Sequence, residues 1–465
     1  MNGYRRRGQG LTLFIVGLAL MSLLLGTEAP ASAQEPAGEA EGAGRLTREQ
    51  QEKPPALMCA GCLAPMFGEG SRGSITPYGR IELDAIYSNR NTNPLDPGQF
   101  SGYATAAGKS SNASTTLNPR YSVFGLRADR TDGVHTLKGV VEIDFYGQTD
   151  NAGNLPPRLR LANAAYAWGK TSITVGQDWT PIMALHPNLI DFSIMGYNGN
   201  LWQRLPQITV RHKFNDNVDG LITVMRFERG LSAIQPQTQR RPFTGSAVGG
   251  SPPVSCTNPT GNFACSENSF NDPVQHPYYG TRFAYTGTTG MLNGVMFAVN
   301  GAYRYYRSAP TAATGGIPSG QDINSYVVGG ELVVPITRQL KFAGEIAYGQ
   351  ALGVEWFRYG QDRNLGTGKA IRTVVGWAEL NYAHSKDYTF VAGYGFDNPL
   401  NSDLRGTTAG VDTQYLLNHR TYLTVVRHIW GDFYSGLEWN HLMTEWSTGE
   451  KFHGDNYMLS FWYNF

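Results

Sequence analysis

The sequence predicts an all-β protein, a transmembrane antiparallel β-barrel of about 16 strands with a short flexible segment before it. Three observations predict it. Apolar and polar residues alternate along most of the chain, turn-forming residues separate these segments, and the last strand carries alternate aromatics up to Phe465. Such alternation is typical of strands with one apolar face. No apolar run long enough for a spanning helix follows Leu25, so strands are the expected membrane-crossing elements.

The N-terminal region has the three parts of a secretory signal peptide. Arg5, Arg6 and Arg7 precede an apolar run over residues 11–25, and the small residues 31–33 follow. This order predicts a signal peptide over residues 1–33, cleaved after Ala33. A membrane anchor is the alternative, but the run is shorter than the roughly 20 apolar residues that a spanning helix needs.

Residues 34–74 differ in composition and begin rich in Glu, Ala, Gly and Pro. We expect a flexible periplasmic lead, because such a segment buries too little apolar surface to fold. It contains Cys59 and Cys62 in a CxxC spacing, which fits half a zinc site, a redox pair or a small disulfide. No second CxxC or His pair lies nearby, so we expect a disulfide and no metal site.

The composition also fits a barrel. The chain holds 56 Gly, 25 Tyr, 21 Phe and 9 Trp, which supply turns and interfacial aromatics,. Its 38 basic residues nearly balance its 37 acidic ones. Bulk charge therefore indicates no nucleic-acid partner, and any electrostatic selectivity must be local. No cofactor is expected.

From residue 75 to residue 465 the alternation divides into an even number of strands, as single-chain bacterial barrels require. The predicted strands are 78–87, 121–129, 136–146, 158–168, 171–179, 205–214, 220–229, 279–286, 295–305, 325–334, 340–348, 371–382, 388–396, 420–430, 433–444 and 456–465. The last strand should pair with the first, because an open sheet edge is not tolerated in hydrocarbon.

The alternation assigns faces. In the third strand Val141 and Ile143 should face lipid, and Glu142 and Asp144 the lumen. The same rule places Phe297 and Val299 outside and Asn300 inside, and Ile346 outside and Glu345 inside. In the last strand, residues 457, 459, 461, 463 and 465 should face lipid, whereas Met458, Ser460 and Trp462 face the lumen.

Two connections stand out. Residues 231–277 predict a long extracellular loop, in which we expect Cys256 and Cys265 to form a disulfide in an oxidising compartment,. Residues 180–200 are more apolar than an exposed loop should be. This segment is expected to fold inward as a constriction loop or, alternatively, to pack on a neighbouring subunit.

Five sequence blocks resemble the DcaP-like outer-membrane porins: YGRIELDAIY from Tyr78, VEIDFYG from Val141, RLRL from Arg158, VGQDW from Val175 and WQRLPQI from Trp202. The resemblance covers the barrel from about residue 73 onward. It implies a homotrimer of sixteen-stranded barrels in the bacterial outer membrane that takes up small anionic solutes, dicarboxylates among them.

Lumen arginines are the expected selectivity groups, because a guanidinium binds carboxylates bidentately and never titrates. Arg158 and Arg160 should share the lumen face, with Leu159 and Leu161 outside, and Arg226 and Glu228 should face inward together. The alternative is a structural wall of ion pairs with Glu82, Asp84, Glu142, Asp144 and Glu228. The candidate solute-binding residues are Arg158, Arg160, Gln177, Arg204, Gln207, Arg211, Arg226, Arg282 and Arg304.

No enzymatic activity is expected, since the sequence contains no GxSxG and no HExxH motif,. The preferred function is a porin that passes small hydrophilic solutes and favours anions. One alternative is a general or sugar-selective pore, with Tyr146 and Trp462 as stacking residues in the lumen. The other is a surface adhesin or structural barrel whose working part is the loop 231–277.

Overall fold

The computed structural model describes residues 72–90, 92–93, 100–101, 113–146, 155–226, 276–307, 322–353, 356, 369–404, 415–446 and 449–465. The predicted signal peptide, the CxxC pair, Glu228 and the pair Cys256 and Cys265 lie outside these residues. The predictions about them therefore remain predictions.

Sixteen antiparallel strands close into one barrel, as the sequence predicts. The second strand is interrupted, and both of its segments pair with the first strand. The strands are β1 (Arg72–Ser88), β2 (Ser114–Asn118 and Val123–Thr131), β3 (His135–Asp144), β4 (Arg158–Trp168), β5 (Thr171–Trp179), β6 (Arg204–Lys213), β7 (Val218–Met225), β8 (Tyr278–Thr286), β9 (Met296–Arg307), β10 (Asp322–Pro335), β11 (Leu340–Gln350), β12 (Arg372–Ala383), β13 (Tyr388–Pro399), β14 (Tyr415–Trp430), β15 (Phe433–Trp446) and β16 (Lys451–Asn464).

Each strand pairs with its neighbours in the chain, and β16 pairs with both β15 and β1. At the closing seam Tyr87 lies opposite Tyr457 and Leu83 opposite Phe461. Beyond β16, Phe465 exchanges two backbone hydrogen bonds with Gly79, at 2.9 and 3.0 Å. The predicted role of the last strand is confirmed.

Most of the predicted faces are confirmed as well, with Leu161 and Arg226 as exceptions. Val299 and Ile346 are 60% and 59% exposed on the outer wall, whereas Asn300 and Glu345 are buried on the inner side. In β16, Ser460 and Trp462 are buried, while Tyr463 is exposed. The outer wall is therefore apolar, as contact with lipid requires.

The break in β2 spans Pro119 to Ser122. Proline has no N–H to donate to the strand ladder, and Ser122 N donates instead to Pro119 O in a tight turn. The Ser122 hydroxyl then accepts a hydrogen bond from Glu82 N at 3.0 Å. A side chain thus replaces the missing ladder contact and keeps β2 beside β1.

The predicted outward orientation of Leu161 is wrong. A register shift between β3 and β4 pairs Glu142 with Leu161 and Ile143 with Leu159, so Arg160 has no partner in the ladder. This β-bulge turns Leu161 inward, where it is 8% exposed, while Leu159 stays outside at 48%,. A strict period of two cannot foresee a bulge.

Gly176 packs against this bulged strand. Its φ is +113°, and a Cβ at this position would lie 2.2 Å from the Ala162 carbonyl oxygen. We predict that Gly176→Ala destabilises the barrel by about 1–3 kcal/mol, the typical cost of backbone strain. Gly139→Ala is the matched control, since its Cβ would meet only Ala128 Cβ, at 3.9 Å. Urea unfolding in lipid vesicles measures both variants, and equal midpoints would contradict the prediction.

Connections differ in length between the two rims. Residues 169–170 and 431–432 join β4 to β5 and β14 to β15 by short turns, whereas residues 180–203 join β5 to β6. The described helical elements are single turns, Gly290–Leu292 and Asn401–Leu404. No described helix is long and apolar enough to cross a membrane.

Candidate functional site: the barrel lumen and its inner loop

Residues 180–200, the inner loop, lie inside the barrel rather than over its rim. Ile182, Met183 and Met195 are fully buried. They pack against apolar residues on the inner faces of the strands, among them Val327 and Trp377. The apolar character of this loop is therefore explained by the lumen of its own barrel.

Four non-glycine residues of the inner loop have positive φ: Met183, Ile194, Met195 and Tyr197. This conformation is uncommon outside glycine, and for a β-branched residue such as Ile194 it is strained. Such strain persists only when surrounding contacts over-determine the backbone. The barrel wall therefore holds the loop in shape.

A row of wall glutamates provides these contacts. Glu331 on β10, Glu345 on β11, Glu379 on β12 and Glu438 on β15 reach the inner loop from four strands. Their carboxylates accept the backbone N–H groups of Ala184, Leu185, Asn188 and Ile190 at 3.3, 2.7, 2.8 and 2.6 Å, respectively. Carboxylates on this side of the lumen thus bind the loop.

Arg420 on β14 completes this attachment. Its guanidinium contacts Asp191 of the inner loop at 2.5 Å and Glu438 of the wall at 3.1 Å. Its Nε donates to Asn440 at 2.8 Å. Arg420 and Asp191 are completely buried. A buried ion cluster of this kind depends on all its members, because a remaining unpaired charge is costly.

The other side of the lumen carries an arginine cluster, formed by Arg158, Arg160 and Arg204. Arg158 binds Asp144 through two hydrogen bonds, at 3.0 and 2.6 Å. Arg160 contacts Glu142 at 2.5 Å and Asp144 at 3.1 Å. Arg204 Nη1 is 3.8 Å from the same Asp144. Three guanidinium groups therefore share two carboxylates, which leaves an excess of positive charge.

Arg204 lies between two indole rings. Its guanidinium carbon is 5.1 Å from the centre of Trp179 and 5.5 Å from that of Trp202. Its Nη1 is buried and makes no hydrogen bond within the described part of the chain. By contrast, the Arg158 side chain is 29% exposed. Arg158 is the member of the cluster that solvent reaches most easily.

Aromatic rings border the cluster. Tyr146 stacks on Phe192 of the inner loop with ring centres 3.7 Å apart, and Arg158 lies 5.5 Å from the Tyr146 ring. Trp462 lies on the inner face beside Arg80, at 5.2 Å. Tyr146 and Trp462, the stacking residues of the sugar-selective alternative, thus both contact arginines.

The remaining candidate residues lie elsewhere on the wall. Arg282 binds Glu331 through two hydrogen bonds, at 2.8 and 2.7 Å, and Arg304 lies over the Tyr278 ring at 4.6 Å. Arg211 pairs with Asp219 at 2.9 Å and is partly exposed. These arginines support the wall at separate places.

The two glutamines make backbone contacts. Gln177 donates its amide to the carbonyls of Leu159 and Arg160 at 3.1 and 3.0 Å, which satisfies the bulge in β4. Gln207 donates to the carbonyl of Trp179 at 2.7 Å. Both side chains position the strands that carry the arginine cluster.

Arg226 does not face inward as predicted. In β7 Thr223 and Met225 are buried, whereas Ile222 and Val224 are exposed. Arg226 follows the end of β7, continues the alternation of the exposed residues and is itself exposed. The sequence predicts a strand up to residue 229 with Arg226 on the lumen face, whereas β7 ends at Met225 and Arg226 lies on the outer face.

Sequence reasoning missed two arginines. Arg80 binds Glu82 at 3.1 Å on the inner face of β1, and its two-residue spacing from Glu82 could have revealed it. Arg420 gave no such signal, because its partner Asp191 lies 229 residues earlier in the chain.

No protein-family model and no curated protein sequence matches the chain. Solved structures do. The outer membrane channel DcaP of Acinetobacter baumannii matches with a TM-score of 0.63 and 14% identity, over 84% of this chain and 97% of that one. The fold is that of the outer-membrane porins.

Two further structures agree. An anion-selective porin from Comamonas acidovorans has a TM-score of 0.51 at 11% identity, over 84% of this chain and 100% of that one. OmpF of Salmonella typhi, in complex with daunomycin, has the same score and identity and is covered to 98%. At these identities the likeness shows a porin-like barrel, typical of bacterial outer membranes, and membership in the DcaP-like family stays a prediction.

Proposed function

We propose that the protein is a non-enzymatic outer-membrane channel that passes small hydrophilic solutes and favours anions, carboxylates among them. The arginine cluster is the observation that supports this preference. Three guanidinium groups share Glu142 and Asp144, and Arg158 is accessible from the lumen. A narrow polar passage focuses the electric field of these positive charges on a permeating ion.

The inner loop strengthens this effect by narrowing the lumen. On one side of the lumen, residues 188–190 of the loop lie against Arg80 and Trp462 of the wall and leave only a small pocket between them. The loop therefore occupies space on that side that would otherwise be open to solutes.

We predict that Arg158→Gln lowers the anion preference without preventing assembly. One unit charge roughly 7 Å from a permeating ion, in a water-like dielectric, is worth about 0.6 kcal/mol, or about a threefold change in relative permeability. Reversal potentials of single channels in a potassium chloride gradient measure it.

Arg427→Gln is the matched control. It also removes one positive charge, but from the outer wall. Arg427 lies four residues after the exposed Leu423 on the same strand, so both share the outer face, and its guanidinium lies over the Tyr388 ring. Its reversal potential should equal that of the unaltered protein. If Arg158→Gln leaves the potential unchanged, the arginine cluster belongs to the structural wall. Cation selectivity of the unaltered channel would contradict the anion preference.

A comparison of solutes separates the alternatives. Vesicles containing the protein should swell faster in succinate than in an uncharged sugar of similar size. Faster swelling in the sugar would support the sugar-selective pore. Absence of swelling and of conductance would favour the adhesin or structural barrel.

We also propose the homotrimer that the family resemblance implies. On the outer wall, Ala128, Gly139, Ala162 and Ala164 line a groove across β2 to β4, and small side chains allow close approach of another barrel. Native mass spectrometry in detergent determines the number of chains.

A further inference from the structure

A group of histidines lies on the outer wall near the rim of the long connections, far from the arginine cluster in the chain. His441 is on β15 and His453 on β16. Opposite them in the ladders, His441 pairs with Asp455 and His453 with Met443. Both imidazoles are accessible, since the His441 side chain is 34% exposed and His453 is exposed.

Asp455 fixes the proton of His441. Its Oδ1 is 2.8 Å from His441 Nδ1, so Nδ1 carries the hydrogen and Nε2 presents a lone pair. Asp455 is itself held by the indole N–H of Trp439 at 3.2 Å and by the amide of Asn89 at 2.7 Å. A metal-binding histidine usually donates its other ring N–H to a carboxylate, which fixes the tautomer and the orientation of the ring.

The lone pair of His441 points at the other histidine. His441 Nε2 is 3.4 Å from His453 Nδ1, which is long for a hydrogen bond between nitrogens. Two nitrogens bound to one tetrahedral ion at about 2.0–2.1 Å each lie roughly 3.4 Å apart. The observed separation therefore fits two ligands of one metal ion as well as a long hydrogen bond between the rings.

We propose that His441 and His453 bind a divalent late transition metal, Cu²⁺ or Zn²⁺, with Asp455 as the positioning residue. Imidazole nitrogen suits both ions, and copper binds such ligands more tightly. Water completes the coordination, because the described residues contain no group of three His, Cys, Asp or Glu side chains arranged around one ion.

Neighbouring charges are mixed. Arg90 and Lys451 lie near His453 and oppose a cation, although Lys451 pairs with Glu445 at 3.0 Å. Asp455 supplies the compensating negative charge. The site is independent of the proposed channel function, since it lies on the outer wall.

The experiment is Cu²⁺ binding to the mature protein in detergent micelles, followed by calorimetry and by the nitrogen splitting in electron paramagnetic resonance. We expect a site with two imidazole nitrogens, which His441→Ala and His453→Ala each abolish. Asp455→Asn should weaken binding by about 10- to 100-fold. The assignment rests on the differences between variants, which share every other group that could bind copper.

His419→Ala is the matched control. His419 lies one strand away, opposite Met443, and its Nδ1 is buried without a hydrogen-bond partner among the described residues. If His419→Ala removes copper as strongly as His453→Ala, the two-ligand assignment is wrong. If His453→Ala binds copper like the unaltered protein, the site does not exist. Heat-modified mobility in gels verifies that each variant is folded.

Discussion

Replacing Arg420 by alanine is expected to raise the single-channel conductance and its fluctuations. Arg420 is the cation between Asp191 of the inner loop and Glu438 of the wall, and the arginine and the aspartate are completely buried. Its removal leaves two neighbouring carboxylates that keep hydrogen bonds from Ser193 and Thr424 but lose the guanidinium charge between them. Breaking a buried ion pair in this way typically costs about 3–5 kcal/mol.

Displacement of the inner loop can lower the free energy of these two carboxylates while the barrel stays folded. The inner loop is held from the wall by four carboxylates and contains four strained residues. Moving it away from β14 hydrates Asp191 and Glu438 without breaking the strand ladders. Because the loop lies inside the barrel, we expect its displacement to widen the passage.

Conductance in planar bilayers measures this prediction. Arg211→Ala is the control, because Arg211 pairs with Asp219 of the neighbouring strand at 2.9 Å and is partly exposed. It should leave the conductance nearly unchanged. A quiet channel of unaltered conductance in Arg420→Ala would show that the wall glutamates and apolar packing hold the loop by themselves.

Much of this fold could be predicted from the sequence. Sixteen strands, and the faces of those with clear alternation, follow from a period of two. The predicted bounds of β4 and β5 are the observed ones. The arginine cluster followed in part, because Arg158, Arg160, Glu142 and Asp144 lie on neighbouring strands with clear alternation. Local patterns determine such contacts.

The remaining features depend on contacts that no local pattern encodes. Leu161 faces inward because of a bulge. The outward position of Arg226 could not be predicted, because β7 carries apolar residues on both faces and the alternation alone does not identify the lumen side. Arg420 meets Asp191 only because the inner loop crosses the lumen. The sequence indicates that this loop is too apolar for an exposed position, but it leaves two alternatives, the lumen of its own barrel or a neighbouring subunit.

A charge on the lipid-facing wall should have an equally large effect on folding. Val328 lies in the middle of β10, 62% exposed, between Gly301 of β9 and Tyr348 of β11. We predict that Val328→Arg destabilises the barrel by about 2–4 kcal/mol, the cost of arginine at the centre of a bilayer in such barrels.

Ile336 offers the matched position at the membrane surface. It is 53% exposed and lies in the short turn after β10. Arginine there should cost only about 0–1 kcal/mol, because the penalty falls towards the interface. Urea titration of folded and unfolded bands in lipid vesicles gives both values. If the two variants are equally stable, Val328 lies outside the hydrocarbon, and the depth assigned to β10 is wrong. A difference between them places the apolar outer wall in the bilayer independently of any likeness to known porins.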